Sequence, residues 1–216
     1  MKFRLSFETE RRLRRMAVPN LMNYIVGGMA LCYVLMMAIP GLYGMLGLSR
    51  AAIFRGQIWR LATFVFLPSG GSVISMLISL YFYWMIGSTL ERQWGTFKFN
   101  LFYFTGVLGA ILAALITGRA GNSYLNLSMF LVFASMFPDY QVLLFYILPI
   151  KMKYLALANA VLYVFMFLTG SWSDRVTILL CLANVFLFVG GDLINTVRRE
   201  MGYWKTRYRF RRAMRR

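Results

Sequence analysis

The chain has 216 residues, 60% of them hydrophobic, and a net charge of +17 from 24 Lys and Arg against 7 Asp and Glu. Soluble domains average about 45–50% apolar residues, and apolar stretches near 20 residues recur here, so the composition predicts a membrane protein. The chain has no histidine, which removes the commonest general base and the commonest neutral metal ligand. We therefore expect neither a metal nor a cofactor.

Six apolar segments predict an all-α membrane protein with six transmembrane helices. The predicted spans are 21–46, 72–90, 99–118, 123–137, 153–168 and 176–197. They form one membrane domain over 21–197, between a basic segment, 1–20, and a basic, aromatic tail, 198–216. The first span is predicted to act as a signal anchor, because no cleavage site lies close enough to the start.

The distribution of Lys and Arg predicts that both termini lie in the cytosol. Six of these residues lie in 1–20, two in the second connection, two in the fourth and nine in the tail, whereas five lie on the opposite side. Cytosolic flanks of membrane proteins collect Lys and Arg, so the side with nineteen is predicted to be cytosolic. We expect a multi-pass protein of a bacterial plasma membrane.

The first connection, 47–71, is too apolar for a solvated loop. Its segment AAIFRGQIWRLATFVFLP carries Arg55 and Arg60, and it predicts an element that lies in the membrane interface, with Trp59 at headgroup level. An arginine in hydrocarbon is costly unless it is paired, so a structural role for Arg60 is favoured over contact with a client protein.

The third and fourth spans have unusual features. Gly106, Ala110, Ala114 and Gly118 recur every four residues and predict a face of small residues that lets a neighbouring helix approach closely. The fourth span has only 15 residues, about 22 Å of helix against a hydrocarbon core of roughly 30 Å. We expect such a helix to be enclosed by partners or to lie below a water-filled recess, with Ser123 at its outer end.

Several segments, in order along the chain, resemble the rhomboid superfamily, which contains intramembrane serine proteases and inactive relatives such as derlins. The segments are GQIWRLATFVFLP, IGSTLERQWGTFKFNLFYFTGVLGA and FPDYQVLLFYILPIKMKYLA, and the resemblance covers about residues 56–195. It implies a rhomboid-like fold in which Arg60, of the Trp59-Arg60 pair, holds the first loop. For Glu91 it implies an internal brace, and an exposed charge at a helix end remains the alternative.

The resemblance also assigns the positions at which a rhomboid protease does its chemistry. The family's nucleophile motif, Gly-x-Ser-Gly, falls on Gly121-Asn122-Ser123-Tyr124, with Ser123 at the nucleophile position and a tyrosine in place of the second glycine. The family's catalytic histidine falls on Phe188, followed by Gly190 and Gly191 as packing residues. The family's oxyanion positions fall on Ser75, Ser79 and Asn122.

The resemblance therefore implies a protein that has lost the protease machinery. A serine needs an adjacent base to become a useful nucleophile, and the outer loops offer only Asp174, a solvated carboxylate. We interpret Ser123 as a residue that starts a helix and bonds locally. The predicted function is binding of transmembrane or juxtamembrane segments of client proteins, in trafficking or quality control, through a polar patch of Asn122, Ser123, Asn126, Ser75 and Ser79.

Two other classes of function remain as alternatives. One is an intramembrane serine protease that uses Ser123 with an unrecognised base. The other is a channel or transporter, which is disfavoured because ionisable residues are nearly absent from the spans and no inverted repeat is evident. Asp192 is the only acid inside a predicted span, and two readings of it stay open: a functional carboxylate, or a partner of the basic tail.

The basic tail mixes nine Lys and Arg with Tyr203, Trp204, Tyr208 and Phe210. Such a segment predicts binding to anionic lipid headgroups as well as a topological anchor. No nucleic-acid-binding fold is visible, and the sequence gives no oligomeric state.

Overall fold

The computed structural model describes residues 17–39, 41–68, 72–144 and 148–190. The predictions for the basic segment up to residue 16, for Gly191, for Asp192, for the tail 198–216 and for the side chain of Tyr124 lie outside the described residues.

The described part is mainly helical. Its helices are α1 Leu21–Ala38, α2 Leu42–Leu46, α3 Arg50–Phe54, α4 Arg60–Thr63, α5 Val73–Trp94, α6 Thr96–Thr117, α7 Ser123–Met136, α8 Met152–Thr169 and α9 Trp172–Gly190, and a 3-10 turn spans Phe64–Phe66. Its strands are β1 Leu48–Ser49, β2 Arg119–Ala120, β3 Gln141–Leu144 and β4 Leu148–Lys151. β1 pairs with β2 and β3 with β4, both antiparallel.

Five of the described helices are long and apolar enough to cross a membrane: α1, α5, α6, α8 and α9. The prediction of an all-α membrane protein is confirmed. The fourth predicted span is the apolar helix α7, whose 14 residues measure about 21 Å and fall short of the roughly 30 Å hydrocarbon core.

The first predicted span, 21–46, is two helices rather than one. α1 ends at Ala38, and Ile39 is extended, with φ −120° and ψ 99°. Pro40 follows Ile39 in the sequence, and a residue before proline is driven from the helical into the extended region. The shorter α2 then begins after Gly41, whose φ of +86° suits a glycine.

The long helices pack as a bundle with one lightly covered member. α1 packs on α5, while α5, α6 and α7 pack on one another. α9 joins α6 through a hydrogen bond that Thr105 Oγ1 donates to Asn184 Oδ1 over 2.8 Å. α8 packs mainly on α7 and exposes most of its surface. A groove is thereby left between α8 and α5.

The small residues of α6 pack as a face over most of the helix. A Cβ on Gly106 would collide with Leu125 of α7 and approach Asn184 of α9. Ala110 and Ala114 are buried in the same interface. Gly118 has another role: its φ of +95° ends α6 in the left-handed conformation, which only glycine adopts without strain.

Two further glycines permit close contacts that the periodicity of α6 does not reveal. A Cβ on Gly87 of α5 would collide with Met22 of α1, and one on Gly28 of α1 would collide with Phe66 of the first connection. α1 therefore packs closely on α5 at Gly87 and on the first connection at Gly28.

Candidate functional site

The candidate site is built around the start of α7. Asn122 precedes the helix, is 5% exposed, and its Nδ2 donates to the carbonyl oxygens of Val65 (3.2 Å) and Leu67 (2.6 Å). These bonds tie α7 to the first connection over a sequence separation of more than fifty residues. Because its amide is used in this way, Asn122 acts here as a structural tie.

The first connection is fixed by Arg60 on its other side. Arg60 is 8% exposed; its guanidinium donates to the carbonyl oxygens of Gly44 (2.6 Å) and Gly47 (2.7 Å), and its Nε donates to Gln57 Oε1 (2.7 Å). These bonds satisfy a buried cation and hold a tight turn of backbone. The neighbouring Trp59 is exposed, so its ring lies on the surface of the protein.

Ser123 is exposed and lies where two openings meet. The first opening is a cleft of about 810 Å³ between the first connection, the α6–α7 connection and the start of α9. We call it the outer cleft. Its lining includes two cations, Arg60 and Arg119, and one acid, Asp174. Asp174 Oδ2 accepts hydrogen bonds from the backbone N and the hydroxyl of Ser171, so it caps the start of α9.

The second opening is a groove of about 300 Å³ between α5, α7 and α8. We call it the lateral groove, because it lies between helices rather than at their ends. Its walls combine apolar side chains, Ile78, Phe82 and Phe130 among them, with polar ones. The polar lining includes Ser79, Ser123, Asn126, Asn159 and the two tyrosines Tyr83 and Tyr163. Ser123 lines both openings, so the cleft and the groove adjoin at this residue.

The polar groups of the lateral groove differ in whether they are already bonded. Ser79 Oγ donates to the carbonyl oxygen of Ser75 in its own helix, and Asn159 Nδ2 donates to that of Leu155. Asn126 is 5% exposed, and its Nδ2 has no hydrogen-bond partner among the described residues. The lining of the groove therefore includes a residue whose buried donor has no partner among the described residues.

The structure brings together only part of the polar patch expected from the sequence. Ser79, Ser123 and Asn126 line the lateral groove. Asn122 is buried in its tie to the first connection. Ser75 lies in the first turn of α5, where its backbone N donates to Ser72 Oγ, and it lines neither opening.

Phe188, the residue expected at the histidine position, lies far from Ser123. The Phe188 ring lies against Trp94 and Phe102, at 6.3 and 5.4 Å between centroids, in a cluster near the opposite ends of the helices from Ser123. The α9 residues that line the outer cleft with Ser123 are Ser173, Asp174 and Thr177. The last of them, Thr177, precedes Phe188 by eleven residues, about 16 Å along a helix.

Glu91 is a brace at the opposite end of the bundle from Ser123. It is 8% exposed, and its Oε1 accepts a hydrogen bond of 2.8 Å from the backbone N of Asn20, which has a left-handed φ of 54°. Asn100 supports the same segment, because its Nδ2 donates to the carbonyl oxygen of Val18. Sequence reasoning missed Asn100, although an asparagine within an apolar helix is a signal for such a contact.

The sequence profile of a family described as eukaryotic integral membrane protein (DUF1751) matches residues 21–189, which include every long helix of the described bundle. The chain belongs to this family. Comparison with curated proteins gives no match.

Membership of the family corrects the expected location. A bacterial plasma membrane is wrong, because the family is one of eukaryotic integral membrane proteins. The bias of Lys and Arg could not have decided this point, since it marks the cytosolic side of a span and not the kind of cell.

Proposed function

We propose that this protein is a rhomboid-like membrane protein with six spans and both termini in the cytosol, and that it binds transmembrane or juxtamembrane segments of client proteins without cleaving them. Trafficking or quality control of membrane proteins is the corresponding role. The rhomboid-like segments of the sequence and the short α7 enclosed between longer helices support this proposal.

The lateral groove is the observation that carries the proposal. It lies between membrane-length helices, combines apolar and polar side chains in its walls, and adjoins the outer cleft at Ser123. An apolar helix fits such walls, and a polar group on that helix gains by leaving hydrocarbon for the groove. The segment beyond the helix then lies in the outer cleft.

Binding without cleavage is favoured over proteolysis by the surroundings of Ser123. The chain has no histidine, and Asp174, the acid of the outer cleft, is bonded to Ser171. A serine without a positioned base is a weak nucleophile. Fragments released from a membrane substrate by the wild type, and not by Ser123→Ala, would contradict binding as the sole activity.

Site-specific crosslinking tests the proposal. A photo-reactive amino acid at Ile78, which lines the groove, is expected to crosslink transmembrane segments of other proteins in native membranes. The matched control is Leu108 on α6, which is also exposed but lies outside the groove. Peptide mapping identifies the crosslinked segments, and Trp59→Ala and Ser79→Leu are expected to reduce their yield. Identical products from positions 78 and 108 would show that the groove is not a client site.

A further inference from the structure

The buried amide of Asn126 distinguishes one position of the lateral groove from the rest. Asn126 is the fourth residue of α7, its backbone N donates to the carbonyl oxygen of Asn122, and its side chain is 5% exposed. Its Nδ2 is buried and has no partner among the described residues, and the residue lines an opening of about 300 Å³. A buried donor without a partner destabilises the protein unless a ligand supplies an acceptor.

No group that lines the groove accepts a hydrogen bond from the Asn126 amide in this structure. Ser79 and Asn159 donate to carbonyl oxygens of their own helices, and neither accepts from Asn126 Nδ2. The other lining residues include the apolar Leu127 and Phe130 and the hydroxyl-bearing Tyr83 and Tyr163, and none of them accepts from it either. Water is scarce at membrane depth, so a partner within the bilayer is the natural source of the missing bond.

From this arrangement we infer that the lateral groove selects client helices that carry an uncharged hydrogen-bond acceptor. The Asn126 amide is the group that donates a hydrogen bond to this acceptor. This inference rests on the proposed function and adds a rule of specificity to it. The acceptor is a carboxamide or hydroxyl oxygen on an otherwise apolar transmembrane segment, because the groove lies between membrane-length helices and has Ile78, Phe82 and Phe130 in its walls. An ionised group is disfavoured, since Nδ2 is a neutral donor and burial of a charge is costly.

The acceptor is also restricted in depth. Asn126 lies three residues beyond Ser123, about 4.5 Å further along the helix from the outer cleft. A client helix that lies beside α7 therefore has to carry its acceptor in the half of the membrane nearer the outer cleft.

Single-span reporters test the selection directly. One reporter has an all-leucine span, a second has one asparagine in the half nearer the outer cleft, and a third has one asparagine in the opposite half. Each is co-expressed with the full chain, and its crosslinking from position 78 is measured. The second reporter is expected to crosslink roughly three- to fifteen-fold better than the other two, the range for a hydrogen bond between membrane helices.

Asn126→Leu is the decisive variant, because leucine has a similar size and removes the donor. It is expected to melt at the wild-type temperature or above, since an unpaired buried amide is replaced by an apolar group. It should crosslink all three reporters equally. The control Asn23→Leu removes an exposed asparagine of α1, outside the groove, and should keep the preference.

The outcomes separate this inference from the proposed function. If the wild type binds all three reporters equally, the groove binds helices without reading an acceptor, as when a lipid ester carbonyl already occupies Asn126. If the preference persists in Asn126→Leu, another group reads the acceptor. Both results overturn the role of Asn126 and leave client binding intact. Failure of every reporter to bind would overturn client binding as well.

Discussion

The polar side chains at the start of α7 have different roles because one is buried and hydrogen-bonded to the first connection and the other is exposed. Asn122 is buried and supplies two bonds to the first connection, whereas its neighbour Ser123 is exposed on two openings. The residue that precedes α7 is Asn122, but its side chain does not cap the helix; it bonds to Val65 and Leu67 instead. Adjacent positions in the sequence thus divide into a structural tie and an accessible surface.

This division predicts opposite sensitivities to truncation. Asn122→Ala should lower the free energy of unfolding by about 1–3 kcal/mol, because two buried carbonyl oxygens lose their donor. Ser123→Ala should change it by less than about 0.5 kcal/mol, as is usual for an exposed side chain. Unfolding of both variants in detergent measures the difference. A larger loss for Ser123→Ala than for Asn122→Ala would show that the serine carries the structural contact.

At the scale of elements, glycine determines how closely the helices approach. Gly106 and Gly109 lie on the same helix, three residues apart, but only Gly106 faces a neighbour within reach of a Cβ. In the sequence, the regular spacing of small residues along α6 predicted a close contact at Gly106. The close contacts at Gly28 and Gly87 were not predicted, because neither glycine belongs to a repeat of small residues.

The two glycines of α6 offer a matched pair of substitutions. Gly106→Ala should destabilise the protein by about 1–3 kcal/mol, because its methyl group collides with Leu125 and crowds Asn184. Gly109→Ala should be neutral or stabilise by up to about 1 kcal/mol, because alanine favours the helix and open space surrounds that position. Melting temperatures of the two variants in detergent test the signs. Equal stabilisation by both would mean that helix propensity, rather than packing, sets the effect.

Local patterns were enough for the helices and insufficient for the site. Spans of apolar residues located α6, α7 and α8 to within a few residues, because a helix in a membrane needs an uninterrupted apolar stretch. The bonds of Asn122 to Val65 and Leu67 and the position of Phe188 depend on how distant segments pack. Such contacts leave no spacing signal in one sequence. The buried amide of Asn126 was part of the expected patch, but only the structure shows that its donor is unpaired.

At the scale of the whole molecule, opposite ends of the bundle are secured by different means. At one end, β1 pairs with β2, and Arg60 and Asn122 tie the first connection to its neighbours. At the other end, Glu91 and Asn100 hold the segment before α1, and Asp139 pairs with Lys151 and Lys153 across the α7–α8 connection. The lateral groove lies between these two ends, beside the lightly packed α8.

The topology of the molecule depends on whether the short α7 crosses the membrane. If α7 crosses, Arg55 in the first connection and Gln141 after α7 lie on opposite sides; if it does not, both lie on the same side. The charge bias predicts that Gln141 lies in the cytosol together with Lys151 and Lys153 and that Arg55 lies on the far side. Both side chains are exposed on the surface of the protein. In sealed vesicles with the cytosolic face outward, an impermeant maleimide should therefore label Gln141→Cys and spare Arg55→Cys.

The labelling experiment needs two controls. Cys32 and Cys181 are replaced by alanine beforehand, and detergent should make both new cysteines reactive. Equal labelling before detergent would mean that α7 returns to the side on which it begins, and the six-span arrangement would have to be replaced by one of five.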